Sequence, residues 1–361
     1  MRVVQLIDSL EAGGAERMAV NYANTLAENC AFSALVTTRK EGLLKAQLNR
    51  NVAYLFLNKK RTWDVNAVLK LRKFIRDNKM QVIQAHSSSF FLAVLVKLCY
   101  PKIKIIWHDH YGNSDFLSER PKRALQLASM FFSAVIVVNE KLHLWVKEYL
   151  KCQNTIYLPN FAVVNQAVSE PTQLKGQAGK RILCLANLRE QKNHLMLVKV
   201  AAKLKESHPD WSLHLLGKDL QDDYSRMIKN SIQEHNLSQQ LYMYDTCLDV
   251  EAIIAQVEIG ILTSISEGLP VAVLEYALGK KVVLATNVGQ IAALIEDNKN
   301  GFLVPSNDVE MFYNRLVQLI ENPSLRDTFS ERLNDKVEHY FSATSTIKKY
   351  ICWVQKTIIN E

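Results

Sequence analysis

Two glutamates, Glu267 and Glu275, stand with seven residues between them in the string Ser266-Glu267-Gly268-Leu269-Pro270-Val271-Ala272-Val273-Leu274-Glu275. The string follows Ile259-Gly260-Ile261-Leu262, which reads as a strand. Gly268 and Pro270 signal the opening of a helix, because proline is favoured in a first turn. The first carboxylate then sits in the loop ahead of the helix and the second about a turn and a half inside it. Free N–H groups at such a helix start attract an anion, here a diphosphate. A carboxylate accepts paired hydrogen bonds from vicinal hydroxyls. One glutamate therefore suits a sugar and the other a ribose diol. Two glutamates taken alone would more often be surface residues; the whole string, placed after a strand, favours a site.

Three further places hold residues that such a ligand needs. Gly13-Gly14-Ala15-Glu16-Arg17 follows the strand-like run 2–7. A glycine pair there lets backbone approach a ligand and starts a helix, although by itself it is more often a tight turn. Ala186-Asn187-Leu188-Arg189-Glu190-Gln191-Lys192-Asn193-His194 follows the strand-like run 181–186. A cation in that loop neutralises a leaving diphosphate as the bond to it breaks. Trp107-His108-Asp109-His110 follows the strand-like run 103–107. An imidazole at the carboxyl end of a strand hydrogen-bonds sugar hydroxyls or phosphate, and either His108 or His110 fits. His86 follows the run 81–85, and Ser87, Ser88 and Ser89 are candidates to cap the next helix. H-x-H also invites a metal, but no further ligand cluster is evident along the chain, so no metal site is expected. The D-x-D pair, which would hold a divalent ion on a diphosphate, occurs nowhere in the sequence.

These loops need strands to carry them, and the chain supplies two series. In the first half, apolar or β-branched runs appear at 2–7, 33–37, 53–57, 81–85, 103–107 and 134–138. Helical patterns lie between them, including 15–28 and 65–78. The second series runs 181–186, 212–216, 240–244, 258–262, 282–285 and 301–304, and the chain closes with helical patterns at 308–321, 324–338 and 343–358. Alternating strands and helices over short loops imply α/β, with parallel, doubly wound sheets. The rhythm fails over 161–180, which carries Pro171, Gly176 and Gly179 and reads as a linker. Two Rossmann-like domains, 1–165 and 175–342, are expected to face a cleft, with ligands at the carboxyl ends of their strands.

Composition agrees. The 361 residues are too many for one core, and 48% apolar with 22% charged residues is a globular balance. Residues 1–165 carry 23 lysines and arginines against 12 acids, and the remainder 21 against 24. Basic residues gather at Lys59, Lys60, Arg61, Lys70, Arg72, Lys73, Arg76 and Lys79, with Trp63 among them, and again at Arg120, Lys122 and Arg123. This surface suits contact with an anionic membrane; a solvated basic face is the plain alternative. No nucleic-acid module is visible, so nucleic acid is not an expected partner. The six cysteines form no C-x-x-C and read as buried thiols of a reducing cytosol. No secretory signal and no apolar stretch of the ~18–20 residues that a span needs is visible. The expected location is cytoplasmic, with peripheral contact on the inner face of the cytoplasmic membrane.

The glutamate string resembles the E-x7-E signature of the retaining glycosyltransferase family 4, and the resemblance runs over nearly the whole chain. Gly13 to Arg17 looks like that family's G-G-A-E-R loop. Ala186 to Lys192 is similar to its G-R-L-x-x-x-K loop, whose Arg and Lys hold the donor pyrophosphate; Lys192 matches, whereas Asn187 stands at the Arg position and Arg189 lies two residues on. Asn287-Val288-Gly289-Gln290 matches the family's G-G turn in part, Asn300 to Pro305 looks like its N-G-x-L-V element, and Leu158-Pro159-Asn160-Phe161 resembles its domain crossover.

The resemblance implies the GT-B architecture, with residues 343–361 returning to the first domain. It implies a metal-independent, retaining transfer from a nucleoside-diphosphate sugar to a glycan or lipid-linked acceptor, as in cell-surface polysaccharide or glycolipid synthesis. No cofactor is expected. His108, His110 and Glu267 take the catalytic positions. Gly13, Gly14, Arg189, Lys192, Gly268, Leu269, Pro270 and Glu275 bind the donor, with Asn187, Arg17 and His86 as further candidates. Two rivals are an inactive relative that only binds a partner at the membrane, favoured by Asn187, and a sugar-nucleotide epimerase of the same fold. No G-x-G-x-x-G follows an early strand, which excludes a dinucleotide oxidoreductase.

Overall fold

The computed structural model describes residues 1–163 and 171–359. The expected domain end at residue 165 and the middle of the 161–180 linker therefore lie outside the described residues. The chain divides into two compact units: unit 1 is Met1–Phe161 with Ser342–Glu361, and unit 2 is Ala162–Phe341.

In unit 1, seven strands form one parallel sheet. They are β1 (Arg2–Ser9), β2 (Phe32–Lys40), β3 (Ala53–Phe56), β4 (Val82–His86), β5 (Lys104–Asp109), β6 (Ala134–Val137) and β7 (Thr155–Tyr157). Their order is β3-β2-β1-β4-β5-β6-β7. The central strands are buried on both faces, which is why they read as continuous apolar runs and not as alternation. The edge strand β7 is only three residues long and has no counterpart in the expected series. The segment Ala343–Val354 is helical and packs in unit 1, where Tyr350 meets Tyr22 of the helix Gly14–Asn29 edge-on at 5.4 Å.

Unit 2 holds a six-stranded parallel sheet of β8 (Arg181–Leu185), β9 (Ser212–Leu216), β10 (Leu241–Tyr244), β11 (Ile259–Leu262), β12 (Val282–Thr286) and β13 (Phe302–Val304). The order is β10-β9-β8-β11-β12-β13. The order reverses once in each sheet, between β1 and β4 in unit 1 and between β8 and β11 in unit 2. Loops leaving those strands diverge to opposite faces, and an open α/β sheet offers its ligand site at such a point. In unit 2 these are the loops carrying Lys192 and Glu267. In unit 1 they are the Gly13-Gly14 loop and the end of β4 at His86. No helix among the described residues is long and apolar enough to cross a membrane.

Candidate functional site

In unit 2 the two loops are laced into one assembly. Lys192 Nζ stands 2.5 Å from Glu267 Oε1, and Ser264 Oγ donates to the same oxygen at 2.6 Å. Gln191 Nε2 donates to the Ser266 carbonyl, and Ile265 N donates back to the Gln191 carbonyl. Thr263 Oγ1 donates to the carbonyls of Lys192 and Asn193. Glu267 is 4% exposed, and its ammonium partner is half-buried. Burying a carboxylate is costly unless a cation and hydrogen-bond donors accompany it, and here Lys192 and Ser264 do.

Beneath it, Gly289 has φ +56, and a Cβ there would stand 2.0 Å from the Glu267 carbonyl oxygen. Gln290 N donates to the Gly268 carbonyl. Only glycine permits that turn to press against the loop. The helix Val271–Leu278 starts directly after it, with Pro270 at its N-cap and Glu275 half-buried just over one turn in.

In unit 1, His86 on β4 pairs in register with His108 on β5, and His110 follows β5. His86 Nδ1 lies 2.9 Å from His110 Nε2, and His86 Nε2 lies 2.8 Å from Gln5 Oε1 on β1. Gln84 Nε2 lies 2.9 Å from His108 Nδ1. His86 and His108 are 1% exposed, whereas His110 keeps some surface. Burial pushes all three imidazoles below their usual pKa, His110 to about 3. The strand alignment thus brings together three ligand-capable rings, whose nitrogens lie within 4.8 Å of one another. This corrects the expectation that the H-x-H pair stands without a third ligand.

Asp109, between the two histidines, is buried in a two-pronged pair with Arg120 at 2.7 and 2.8 Å. The Arg120 guanidinium lies 4.3 Å from the ring centroids of both Tyr111 and Trp145. This pin fixes the chain that leaves β5.

Comparison with known proteins meets this geometry. Residues 168–335 match Glycosyl transferases group 1, and residues 12–162 match Glycosyltransferase Family 4. The chain belongs to the group 1 glycosyltransferases. It is 25% identical over 337 residues to an uncharacterised glycosyltransferase of Haemophilus influenzae, covering 91% of this chain and 93% of that one. It is 23% identical over 376 residues to an Escherichia coli UDP-Gal:alpha-D-GlcNAc-diphosphoundecaprenol alpha-1,3-galactosyltransferase, covering 96% and 94%. The structure of Anabaena HepE in complex with UDP and glucose superposes with a TM-score of 0.82 at 17% identity, covering 98% of this chain and 99% of that one. The fold is accordingly GT-B.

In this glycosyltransferase the sequence-derived candidates fall into place unevenly. Lys192, Glu267, Gly268, Leu269 and Pro270 share one loop assembly, with Glu275 on the helix that follows. Arg189 is exposed at the rim of the 186–194 loop. Asn187 Oδ1 accepts from Lys218 N, so this side chain ties the exits of β8 and β9. Gly217 explains the tightness there, since a Cβ on it would lie 2.3 Å from the Ala186 carbonyl oxygen. Gly13 is the N-cap of its helix, and nothing lies within 4 Å of where a Cβ on Gly14 would stand. Arg17 is 9% exposed, and its Nη1 donates to Gln47 Oε1 at 3.1 Å.

Several expectations need correction. Ser89 does not cap the next helix; its hydroxyl donates to the carbonyls of Leu6 and His86, and Ser88 donates to Asp8. Lys59 and Arg120 are buried, at 6% and 8% exposure, and leave the basic surface. Burial foremost, then the Arg39 charge, holds the Lys59 pKa below its usual value. The six cysteines are free, but Cys99 and Cys352 are exposed and only Cys152 and Cys184 are buried. Neither Asp109 nor Arg120 was a candidate; an acid inside H-x-H was the available signal.

Proposed function

We propose that the enzyme transfers a sugar from a UDP-sugar to a lipid-linked or polymeric glycan with retention of configuration, and that it needs no divalent cation. The Lys192–Glu267 pair, with Glu275 just beyond it, carries this reading. An ammonium has three N–H donors, so Lys192 can keep Glu267 and still donate to a diphosphate. Arg189 and the first N–H groups of Val271–Leu278 add positive potential. Together they supply what a metal would otherwise provide. Glu267 then faces sugar hydroxyls and Glu275 the ribose diol.

The acceptor hydroxyl attacks the anomeric carbon on the face from which UDP departs. The anomeric C–O bond to phosphate breaks with its electron pair on UDP, and a phosphate oxygen takes the hydroxyl proton. Uridine is favoured because the E. coli relative is named for UDP-Gal and the HepE complex contains UDP. A lipid-linked acceptor is favoured by the E. coli relative's name and by the surface of unit 1. There Trp63, Val65 and Leu69 are 70%, 71% and 51% exposed among Lys60, Arg61, Lys70 and Lys73. That combination suits adsorption to an anionic bilayer.

The test is a thermal-shift screen against UDP, GDP, ADP and their sugar conjugates, with and without EDTA, followed by determination of the product's anomeric configuration. Stabilisation by UDP that EDTA leaves unchanged, and a retained anomer, are expected. Stabilisation only with a divalent ion, or an inverted product, rejects the mechanism.

A further inference from the structure

Gln5, His86 and His110 form a line of hydrogen bonds inside unit 1. An amide oxygen brings no hydrogen, so the bond to Gln5 Oε1 takes its proton from His86 Nε2. A neutral imidazole has one N–H, which makes His86 Nδ1 a bare acceptor. The proton of the second bond must then come from His110 Nε2, and His110 Nδ1 is left as a lone pair.

We propose that His86, anchored by Gln5, is a positioning residue that fixes the ring plane and tautomer of His110, so that His110 offers Nδ1 as an acceptor to a ligand hydroxyl. The identity of that hydroxyl, a sugar's, rests on the function proposed above; the line of bonds does not. The burial that keeps these rings neutral supports it. The consequence is selective. A sugar hydroxyl brings the hydrogen that a lone pair needs, whereas an ionised phosphate oxygen brings only further lone pairs. Of the two partners open to an imidazole at this strand end, the bond chain selects the hydroxyl.

A shared metal ion is the competing use of these rings, and their packing opposes it. With metal–nitrogen bonds of about 2 Å, two histidines on one zinc keep their ring centroids about 5 Å apart. The centroids of His108 and His110 are 3.9 Å apart with their planes at 37°. These two rings lie over one another, closer than shared ligation allows, whereas His86 stands 5.1 Å from each.

The test uses the full chain labelled with 15N-histidine, whose ring correlations show which nitrogen of each imidazole bears hydrogen; His110→Gln assigns the signal. His110 is expected as a single form protonated at Nε2. His86→Ala should lose that single form and give a mixture. His86→Asn, which places an amide near the lost Nδ1, should restore it, and His86→Gln, which reaches Gln5 but not His110, should not. If His86→Ala fails to fold, the Asn and Gln variants carry the comparison. A hydrogen on His110 Nδ1 in the native protein, or a tautomer indifferent to residue 86, overturns the proposal. So does one equivalent of Zn2+ moving all three ring signals together. If the tautomer is as expected but UDP-glucose, UDP-galactose and UDP-N-acetylglucosamine all leave His110 unmoved, the positioning stands and the assignment of the ligand fails.

Discussion

Lys192 and Glu267 meet across two loops, their Nζ and Oε1 atoms 2.5 Å apart, with the carboxylate the more enclosed of the two. Removing the cation leaves a buried negative charge that has lost its ion pair, although Ser264 still donates to it. Lys192→Met is therefore expected to cost about 2 kcal/mol of stability, below the range for a fully enclosed pair because Lys192 is partly exposed. Glu267→Gln in the same background should return much of that loss. Denaturant unfolding of the four proteins measures the coupling, and strictly additive losses would show the pair to be incidental.

Glu275→Ala probes the ligand, at a half-buried residue of the helix Val271–Leu278. Affinity for UDP should fall by about 1–3 kcal/mol with the melting temperature of the free protein little changed. Calorimetry showing undiminished affinity in a folded variant would remove the ribose role.

Gly289→Ala should disturb Glu267 without touching its side chain. The backbone has φ +56, and the new methyl would collide with the Glu267 carbonyl. A loss of about 2 kcal/mol or more is expected, from left-handed strain added to the displaced loop. UDP affinity should drop with it. A variant with native melting temperature and native affinity would mean that this turn does not set the loop.

Stability should weaken in mild acid. Burial pushes the His194 ring down to about 4, against an ordinary value near 6.5. A histidine kept neutral in the fold is protonated first in the unfolded chain, so its contribution is present above pH ~6.5 and is lost as pH falls toward ~4. The full effect is on the order of 3 kcal/mol. Urea midpoints at pH 7.5 and pH 5 should diverge in the native protein and diverge less in His194→Leu, where the other buried imidazoles still contribute; equal divergence in both would assign the effect elsewhere.

Membrane contact has its own test. Replacing Lys70, Arg72, Lys73 and Arg76 together with glutamine should lower the partition coefficient onto anionic vesicles by up to about a thousandfold, each charge contributing about 1 kcal/mol near the surface. Trp63→Ser should reduce it even at high salt, because its contribution is apolar. Vesicle binding that survives both changes would place the contact on another face.

The regular core was the legible part of the chain. The central strands, buried on both faces, are continuous apolar runs, and twelve of the thirteen strands among the described residues were expected. The thirteenth, Thr155–Tyr157, combines three-residue length with half-burial at the sheet edge and carries no pattern. Glu267 and Lys192 could be singled out because each follows a strand beside the point where the sheet order reverses. The Asp109–Arg120 pin was not, since an arginine in a basic stretch looks the same in sequence whether it faces solvent or a buried carboxylate. Asn187 looked like a missing cation, and only the geometry shows its bond to Lys218. His86 joins His108 and His110 through strand register, which pairs residues far apart in the chain and leaves no local trace.

The return of residues 342 onward to unit 1 has a consequence for synthesis. Unit 2 is one uninterrupted stretch, so it can acquire its whole core as soon as its last helix emerges from the ribosome. Unit 1 is begun first and finished last. Tyr22, fully buried, must wait through the making of the entire second unit before Tyr350 arrives to cover it. During that interval the nascent first unit has an unsealed aromatic seam.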